Sequence, residues 1–318
     1  MTTREPAIAV SGLHKSYGEK VVLDGIDLTV PAGSIYALLG PNGAGKTTTV
    51  AILSTLTGAD AGTVRVGGHD VRTDPEAVRT AIGVTGQFSA VDELLTGREN
   101  LLLMSDLHHL PRRHGKELAT ELLAKFDLVE AADKPASTYS GGMTRRLDLA
   151  MTLVGDPRII FLDEPTTGLD PRSRHAMWNV IRELVAGGVT VLLTTQYLEE
   201  ADQLAHRVAV LDQGRIVAEG TPAELKRLVP GGHIRLTFTT AAERDAAAAA
   251  LGGVPGDNLS LAVASDGGVR SLRSVLDLLD AAGLEPEGLA VHTPDLDDVF
   301  LTLTGQVTTA AITEETLR

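Results

Sequence analysis

The sequence predicts an α/β fold over most of the chain and a small second α/β domain after it. Three apolar runs support this prediction. Residues 35–39 lead into a glycine-rich loop and a helix, residues 158–162 are followed by two carboxylates, and residues 189–194 again have the pattern of a buried strand. We expect the larger domain at residues 1–228 and the smaller one at residues 229–318, with a break at 230–232.

The composition excludes several classes of protein. The chain has 318 residues, 43% of them hydrophobic and 22% charged, so it can bury a sizeable core. It has no run of about 18 apolar residues, which argues against a membrane span, and residues 1–6 lack the features of a signal peptide. We therefore expect the protein to remain in the cytoplasm. The absence of cysteine excludes disulfides, thiol catalysis and cysteine-bound zinc.

The charge of the chain limits its partners. A formal net charge of −14 disfavours non-specific binding to nucleic acid or to anionic lipid. We expect no nucleic-acid partner. Any role at a membrane must therefore run through a protein partner.

The first elements are strands. Residues 8–10, 21–30 and 63–66 have alternating or apolar patterns, and Gly67-Gly68 predicts a turn after the last of them. Tyr17 lies between the first two strands. Its ring either stacks on a purine or packs, half-buried, at a strand end.

A phosphate-binding loop follows the apolar run 35–39. Its pattern, G-x-x-x-x-G-K-T, opens a predicted helix at residues 47–56. Backbone N–H groups of such a loop surround a polyphosphate, Lys46 reaches its β- and γ-phosphates, and the Thr47 hydroxyl holds Mg2+. The alternative is a glycine-rich turn without a ligand. The candidate binding residues are Gly40, Pro41, Asn42, Gly43, Ala44, Gly45, Lys46, Thr47 and Thr48.

A helical part follows a predicted strand at residues 82–85. Helices are expected at about 92–110 and 115–128, with a core face that includes Leu118, Leu122, Leu123 and Phe126. The amide of Gln87, at the end of the strand, either reaches Mg2+ or an attacking water or belongs to a solvated loop.

No metal site is expected in this helical part. Its three histidines have no acidic or cysteine partner at ligand spacing, so they are interpreted as surface residues: His108, His109 and His114.

The segment Ser140-Gly141-Gly142 precedes another predicted helix, which runs to about Val154. Ser140 fits an ordinary helix cap. The same three residues also fit an anion site, because the glycines leave the N–H groups at the helix start open to a phosphate.

Two carboxylates follow the apolar strand 158–162. Beside a phosphate loop, Asp163 can bind Mg2+ through water, and Glu164 can orient and deprotonate the attacking water. The alternative is a pair of acidic loop residues. The next strand, 189–194, ends at Thr195-Gln196, and strand ends collect at the edge of such a sheet where ligands bind.

Taken in order, these motifs resemble those of ATP-binding cassette (ABC) ATPases over residues 5–228. The resemblance implies a P-loop NTPase domain with a RecA-like core, a β-subdomain and a helical subdomain at about residues 90–155. It also implies that Tyr17 stacks on the adenine, that Gln87 belongs to the Q-loop and that Ser140-Gly141-Gly142 is the signature motif. The cofactors would be ATP and Mg2+, the latter held by Thr47, Gln87 and Asp163. The motifs that carry the resemblance are residues 40–47, 87, 140–143, 159–164, 170 and 196.

The resemblance also implies partners. Two such domains pair head to tail, so that each ATP lies between the phosphate loop of one copy and the Ser140 signature of the other. The segments 138–143, 194–198 and 296–305 are more narrowly similar to the daunorubicin-resistance type of drug exporter ATPase, whose membrane permease is a separate chain. This places the protein at the cytoplasmic face of the membrane, bound to that permease.

Two residues depart from the family pattern. Gln196 stands where His is common; its amide can donate to the γ-phosphate but carries no proton at neutral pH. Glu164 is then the only base, and the catalytic set is Glu164, Gln87, Gln196 and Lys46. Met143 replaces a Gln of the signature and leaves Ser140 and both glycines in place.

Residues 229–318 predict a small α/β domain with 13 acidic and 5 basic residues and no catalytic constellation. It is interpreted as a packing or dimer-contact module, with a ligand sensor as the alternative.

The sequence as a whole indicates the ATP-hydrolysing subunit of an exporter of hydrophobic drugs or antibiotics. Two alternatives remain: an ATPase acting on ribosomes or DNA, and a nucleotide-binding regulator without turnover. The first is disfavoured, because such proteins usually carry two cassettes in one chain, or a long coiled-coil insertion, and a basic surface. Glu164 argues against the second.

Overall fold

A computed structural model of the chain describes residues 5–86, 89–228, 232–265, 268–292 and 295–304. The chain divides into two compact units, Met1–Pro222 and Ala223–Arg318. The boundary expected from the sequence, between residues 228 and 229, lies a few residues closer to the C-terminus than this division. None of the described helices is both long enough and apolar enough to cross a bilayer.

The first unit combines strands and helices in the following order: β1 (Ile8–Tyr17), β2 (Lys20–Val30), β3 (Ile35–Leu39), α1 (Lys46–Leu53), β4 (Ala61–Val66), β5 (His69–Asp70), α2 (Pro75–Ala81), β6 (Ile82–Thr85), α3 (Gly97–Leu107), α4 (Arg112–Lys125), α5 (Gly141–Thr152), β7 (Ile159–Asp163), α6 (Pro171–Ala186), β8 (Thr190–Thr195), α7 (Leu198–Leu204), β9 (Arg207–Asp212) and β10 (Arg215–Gly220). Short 3-10 turns also occur, at Val129–Ala131, Ala136–Thr138 and Leu153–Gly155.

The main sheet of this unit has the order β10-β9-β3-β8-β7-β6. All neighbours are parallel except β9 and β10, and β3, β7 and β8 are completely buried, as their apolar runs predict. In register, Leu39 lies beside Thr195 and Asp163 beside Thr194. The carboxyl ends of β3, β8 and β7 therefore meet at one edge of the sheet. This confirms the predicted α/β fold.

A second, antiparallel sheet has the order β2-β1-β4-β5. Val66 pairs with His69 across the predicted Gly67-Gly68 turn, which makes β4 and β5 a hairpin. Its apolar residues share one core with those of β3 and α1, so the sheet packs on the start of the phosphate loop.

The helical part contains α3, α4 and α5. The helix expected from residue 92 begins only at Gly97, because Thr96 and Glu99 form a reciprocal capping box. Leu122, Leu123 and Phe126 are buried, as predicted, and Leu118 is partly buried. The three histidines of this part are exposed, also as predicted.

The sequence interpretation did not identify several elements of the first unit. They are β5, α2, α7, β9 and β10. The strand β9 adds to the main sheet beside β3, and α7 follows Gln196 directly.

Helix α8 (Pro222–Lys226) spans the boundary between the units. The second unit continues with β11 (His233–Thr237), α9 (Ala241–Leu251), β12 (Val254–Pro255), β13 (Ser260–Ala264), α10 (Val269–Ala282), β14 (Gly288–His292) and α11 (Leu296–Thr304). Its four strands form an antiparallel sheet of order β12-β13-β11-β14. Alternating residues of β11 and β13 are buried against α9 and α10, which is the expected small α/β domain.

Candidate active site

The phosphate loop connects β3 to α1, and two of its glycines are required by their surroundings. A Cβ atom on Gly40 would lie 2.2 Å from the carbonyl oxygen of Leu211, and one on Gly45 would lie 2.5 Å from a methyl group of Leu23. Gly45 also has a φ of 111°, which side chains disfavour. Close packing of this loop against β2 and β9 holds the start of α1 at the sheet edge, where its free N–H groups can face an anion.

Lys46 is the first residue of α1, and its side chain is only 5% exposed. Its Nζ donates to the carbonyl oxygens of Gly40, at 2.8 Å, and of Pro41, at 3.2 Å, and lies 3.4 Å from Oε1 of Glu164. Burial lowers the pKa of Lys46, and the negative charge of Glu164 opposes that effect. The ammonium group is therefore held over the loop.

A cleft of about 430 Å³ opens over this loop, and we call it the phosphate-loop cleft. Eight of the residues that line it were proposed from the sequence as site residues. Its walls are Tyr17, Lys20, Val22, Asn42, Gly43, Gly45, Lys46, Thr47, Thr48 and Glu164. A cleft of about 540 Å³ lies at the opposite, amino-terminal ends of β7 and β8, and it contains none of the proposed site residues.

Tyr17 forms the outer wall of the phosphate-loop cleft. Its side chain is 54% exposed, and the Nζ atom of Lys15 lies 5.2 Å from the centre of its ring. An exposed ring at a cleft wall is available for stacking on a planar group. Of the two interpretations of Tyr17, this position favours the one in which it contacts a base.

Glu164 follows β7 in a left-handed backbone conformation, with a φ of 50°. Such a conformation costs a non-glycine residue about 1–3 kcal/mol and needs support from its surroundings. Its N–H donates to both the carbonyl and the hydroxyl oxygen of Thr194, each at 3.1 Å. The hydroxyl of Thr167 donates to Oε2 of Glu164 at 3.3 Å. The turn directs the carboxylate toward Lys46, across the phosphate-loop cleft.

Asp163 is the last residue of β7 and is 4% exposed. Its Oδ1 accepts a short hydrogen bond from the hydroxyl of Thr194, which belongs to the neighbouring strand β8. Thr194 thus contacts both predicted carboxylate residues. The sequence interpretation missed this role of Thr194, since a threonine inside an apolar strand carries no separate signal.

Ser140 caps α5, and its side chain accepts a hydrogen bond from the N–H of Met143 at 3.3 Å. The ordinary interpretation of this residue is therefore observed. Ser140 and Gly141 are exposed, whereas Gly142 is buried, and a Cβ atom on it would lie 2.7 Å from Oγ of Ser173. Among the described residues, these three are not part of the walls of the phosphate-loop cleft.

The other predicted positions lie near the same sheet edge or outside the described residues. Gln196 directly follows β8 and is partly buried. Asp170 caps α6 by accepting from the N–H of Ser173, and its hydrogen bonds to Ser173 lower the pKa of its carboxyl group. Gln87 lies outside the part of the chain that the structure describes.

The structure adds two charged residues to this region, one fully buried and one largely buried. Glu200 on α7 is fully buried, and its Oε1 accepts from the hydroxyl of Thr166 at 2.8 Å and from the indole N–H of Trp178 at 3.1 Å. Burial raises the pKa of Glu200. Arg145 on α5 donates to carbonyl oxygens around Glu164. The sequence does not reveal either role, because the periodic patterns of their helices also fit solvated charges.

The fold and the phosphate-loop cleft together define a P-loop nucleoside triphosphatase. A strand, a glycine-rich loop with Lys46 and Thr47, and a carboxylate pair on a nearby strand are the parts that this class uses for phosphoryl transfer.

Comparisons with known proteins agree with this class and narrow it. The family described as ABC transporter matches residues 23–167. "Daunorubicin resistance ATP-binding protein DrrA3" of Streptomyces coeruleorubidus is 50% identical over 305 residues, covering 95% of this chain and 96% of that protein. "Daunorubicin/doxorubicin resistance ATP-binding protein DrrA" of Streptomyces peucetius is 48% identical, covering 97% and 96%. "Nod factor export ATP-binding protein I" of Paraburkholderia xenovorans is 45% identical, covering 70% and 73%.

Solved structures are similar over the larger part of the chain. An ATP-binding subunit of an ABC transporter has a TM-score of 0.63 and 28% identity, covering 70% of this chain and 92% of that one. The ADP conformation of the ATP-binding cassette MJ1267 has a TM-score of 0.63 and 26% identity, covering 70% and 93%. The chain belongs to the ATP-binding subunits of the ABC transporter family, which bind and hydrolyse ATP.

Proposed function

We propose that this protein powers the export of a hydrophobic drug or antibiotic through a separate membrane permease. The similarity to proteins named for daunorubicin and doxorubicin resistance extends over 95–97% of the chain and so includes the second unit. Other relatives are named for export, of Nod factor. These names favour transport over an ATPase that acts on ribosomes or DNA. The protein then works at the cytoplasmic face of the membrane, bound to its permease.

The contact between Lys46 and Glu164 is the observation that best supports the proposed hydrolysis. In the phosphate-loop cleft their charged atoms lie 3.4 Å apart, so ATP must compete with Glu164 for the ammonium group. When the β- and γ-phosphates take Lys46, the Glu164 carboxylate is released beside the γ-phosphate. It then orients the attacking water and accepts its proton.

The residues near the phosphates also fit a magnesium ion. The Thr47 hydroxyl is exposed in the cleft wall, and the Asp163 carboxylate ends the strand next to β8. Oxygen donors of this kind are those that Mg2+ prefers, usually with several waters retained. Thr47 and Asp163 would hold Mg2+, with Gln87 as a further ligand, and the ion would neutralise charge on the β- and γ-phosphates.

The remaining proposed groups position ATP and water. Backbone N–H groups within the loop 40–48, in which Pro41 has none, surround the phosphates, and Tyr17 stacks on the adenine. Gln196 donates to the γ-phosphate from the end of β8, and Gln87 helps to place the water.

Two copies of the chain complete each site. The N-terminal end of α5 is capped by Ser140, and Ser140 and Gly141 are exposed and lie outside their own phosphate-loop cleft. In a head-to-tail dimer, this helix end faces the γ-phosphate of the ATP held by the other copy, and the helix dipole favours that anion. ATP binding closes the dimer and hydrolysis reopens it, and the motion drives the permease.

The catalytic part of the proposal is tested with Glu164→Gln. The amide keeps the size of the side chain and loses the base, so we expect ATP binding to persist and phosphate release to be nearly abolished, with a closed dimer accumulating. Glu199→Gln is the control, because Glu199 is an exposed carboxylate on α7 that pairs with Arg174. Near-normal phosphate release by Glu164→Gln would remove Glu164 from this role.

The transport part is tested in membranes. We expect the full-length chain to co-purify with an integral membrane protein and to lower drug accumulation in cells that express both. An ATPase activity that is stimulated by ribosomes or DNA, with no effect on drug accumulation, would favour the alternative.

A further inference from the structure

Helix α5 carries two adjacent arginines whose side chains have different surroundings. The side chain of Arg145 is 11% exposed, and within the described residues it donates hydrogen bonds to backbone carbonyls and to the carboxylate of Asp148. Arg146 points away from the active site: its Nη1 donates to the carbonyl oxygen of Phe126 at 2.9 Å and lies 3.2 Å from the carboxylate of Asp127. Because Arg145 and Arg146 are the same residue type on the same helix, substituting each of them in turn gives a matched comparison.

The guanidinium of Arg145 holds three consecutive carbonyl oxygens at the end of β7. Its Nη2 donates to Asp163 at 3.0 Å and to Glu164 at 3.3 Å, and its Nε donates to Pro165 at 3.1 Å. A planar group with five fixed donors can serve these acceptors together, which a single ammonium cannot do.

These contacts support the strained residue of the site. Glu164 has a left-handed backbone, and its N–H is bound to Thr194 of β8. Its carbonyl oxygen, on the other side of the residue, is bound to Arg145. The main chain that directs the Glu164 carboxylate is thus held from β8 and from α5 at once.

Asp148 extends the same arrangement. Its carboxylate lies 3.3 Å from Nη1 of Arg145, and its Oδ1 accepts from the N–H of Ala90 at 3.1 Å. Nη1 of Arg145 also donates to the carbonyl oxygen of Gly86 at 2.8 Å. The pair therefore binds backbone atoms at positions 86 and 90, which stand in the sequence on either side of Gln87. Burial raises the pKa of Asp148, and the Arg145 charge opposes that effect.

We infer that Arg145, paired with Asp148, is a positioning residue for ATP hydrolysis: it sets the backbone of Glu164 from the helix whose Ser140 end is proposed to face ATP in the other copy. The inference rests on the proposed function of Glu164. A change at the Ser140 end of α5 would reach the catalytic carboxylate of the same copy through the Arg145 side chain.

The test compares Arg145→Met with Arg146→Met in the full-length chain. For Arg145→Met we expect kcat for phosphate release to fall by about tenfold to a hundredfold, while the ATP concentration for half-maximal rate changes less than about threefold. For Arg146→Met we expect both quantities within about twofold of wild type. Equal effects of the two substitutions, or a change in ATP affinity alone, would overturn the inference.

Two further variants separate positioning from loss of charge balance. Arg145→Met leaves Asp148 buried without its partner, which by itself destabilises a protein. The double variant Arg145→Met/Asp148→Asn removes that charge and keeps an acceptor for Ala90, so we expect it to fold and still to show the low kcat. Recovery of wild-type kcat in the folded double variant, or in Arg145→Lys, would overturn the inference.

Glu164→Gln, measured in parallel, distinguishes this inference from the proposed function. An inactive Glu164→Gln together with a normal kcat in the double variant rejects only the role of Arg145. Normal turnover by Glu164→Gln rejects both, because Arg145 would then hold the backbone of a residue that hydrolysis does not need.

Discussion

The ammonium of Lys46 lies 3.4 Å from the carboxylate of Glu164, and both side chains are nearly buried, at 5% and 11% exposed. One of these residues is proposed to bind the phosphates and the other to activate water. Without nucleotide they neutralise each other. Under the proposed function, ATP, with its larger negative charge, takes over the lysine and frees the Glu164 carboxylate.

The first prediction concerns Lys46→Ala and Ser140→Arg. Lys46→Ala should lose nucleotide affinity, because the phosphates lose a cation and face an uncompensated Glu164. Ser140→Arg should bind ATP normally and lose turnover, because Ser140 is proposed to face the ATP held by the other copy. Mixing the two variants combines both faults in one site and leaves the second site intact. We therefore expect phosphate release from the mixture and none from either variant alone.

The control for Ser140→Arg is Ser137→Arg, which changes an exposed serine that precedes α5. We expect Ser137→Arg to keep its turnover. A Ser140→Arg chain that cannot bind ATP, measured by fluorescent-nucleotide titration, would count against the head-to-tail dimer.

The second prediction concerns Gln196, at the end of β8. If its amide donates to the γ-phosphate, Gln196→Ala should lower the hydrolysis rate by roughly one to three orders of magnitude with little change in ATP affinity. Gln196→His should stay active and gain an ionisation near the reference imidazole pKa of about 6.5 in its pH–rate profile. Phosphate release between about pH 6 and pH 8 checks both. Gln203→Ala, at an exposed glutamine of α7, is the control. An unchanged rate in Gln196→Ala would make it a plain loop residue.

The third prediction follows from the raised pKa of Glu200, which has burial as its main cause. In the pH range between its unfolded pKa, about 4.3, and its higher folded pKa, the folded state binds more protons than the unfolded state. The stabilising contribution of Glu200 is therefore complete below about pH 4.3 and is lost as the pH rises. Relative to Glu200→Gln, which does not titrate, the wild-type free energy of unfolding should fall with rising pH.

Denaturant unfolding at a series of pH values measures this difference. The slope cannot exceed about 1.4 kcal/mol per pH unit for one group. Glu199→Gln, at the neighbouring exposed carboxylate, should give a curve parallel to wild type. A difference between wild type and Glu200→Gln that does not depend on pH, or that grows with pH, would contradict the assignment.

The sequence was sufficient for the parts of the site that depend on local chemistry. The loop with Lys46 and Thr47 follows from a strand, a glycine pattern and a helix start, all within a short stretch of chain. The apolar runs 35–39, 158–162 and 189–194 correctly predicted buried strands, because parallel strands covered on both faces are apolar over most of their length. The family followed from the order of the motifs, and the comparisons confirm it.

Only the tertiary structure decided which of these parts meet. A sequence period shows the face of an element but not its neighbour, so it did not show that β8 lies between β3 and β7 and brings Thr194 against Asp163. Nor did it distinguish Arg145 from Arg146, since two adjacent arginines on a helix have the same local pattern. The contact between Lys46 and Glu164 joins residues more than a hundred positions apart, and it exists because long-range packing brings the ends of their strands to one edge of the sheet.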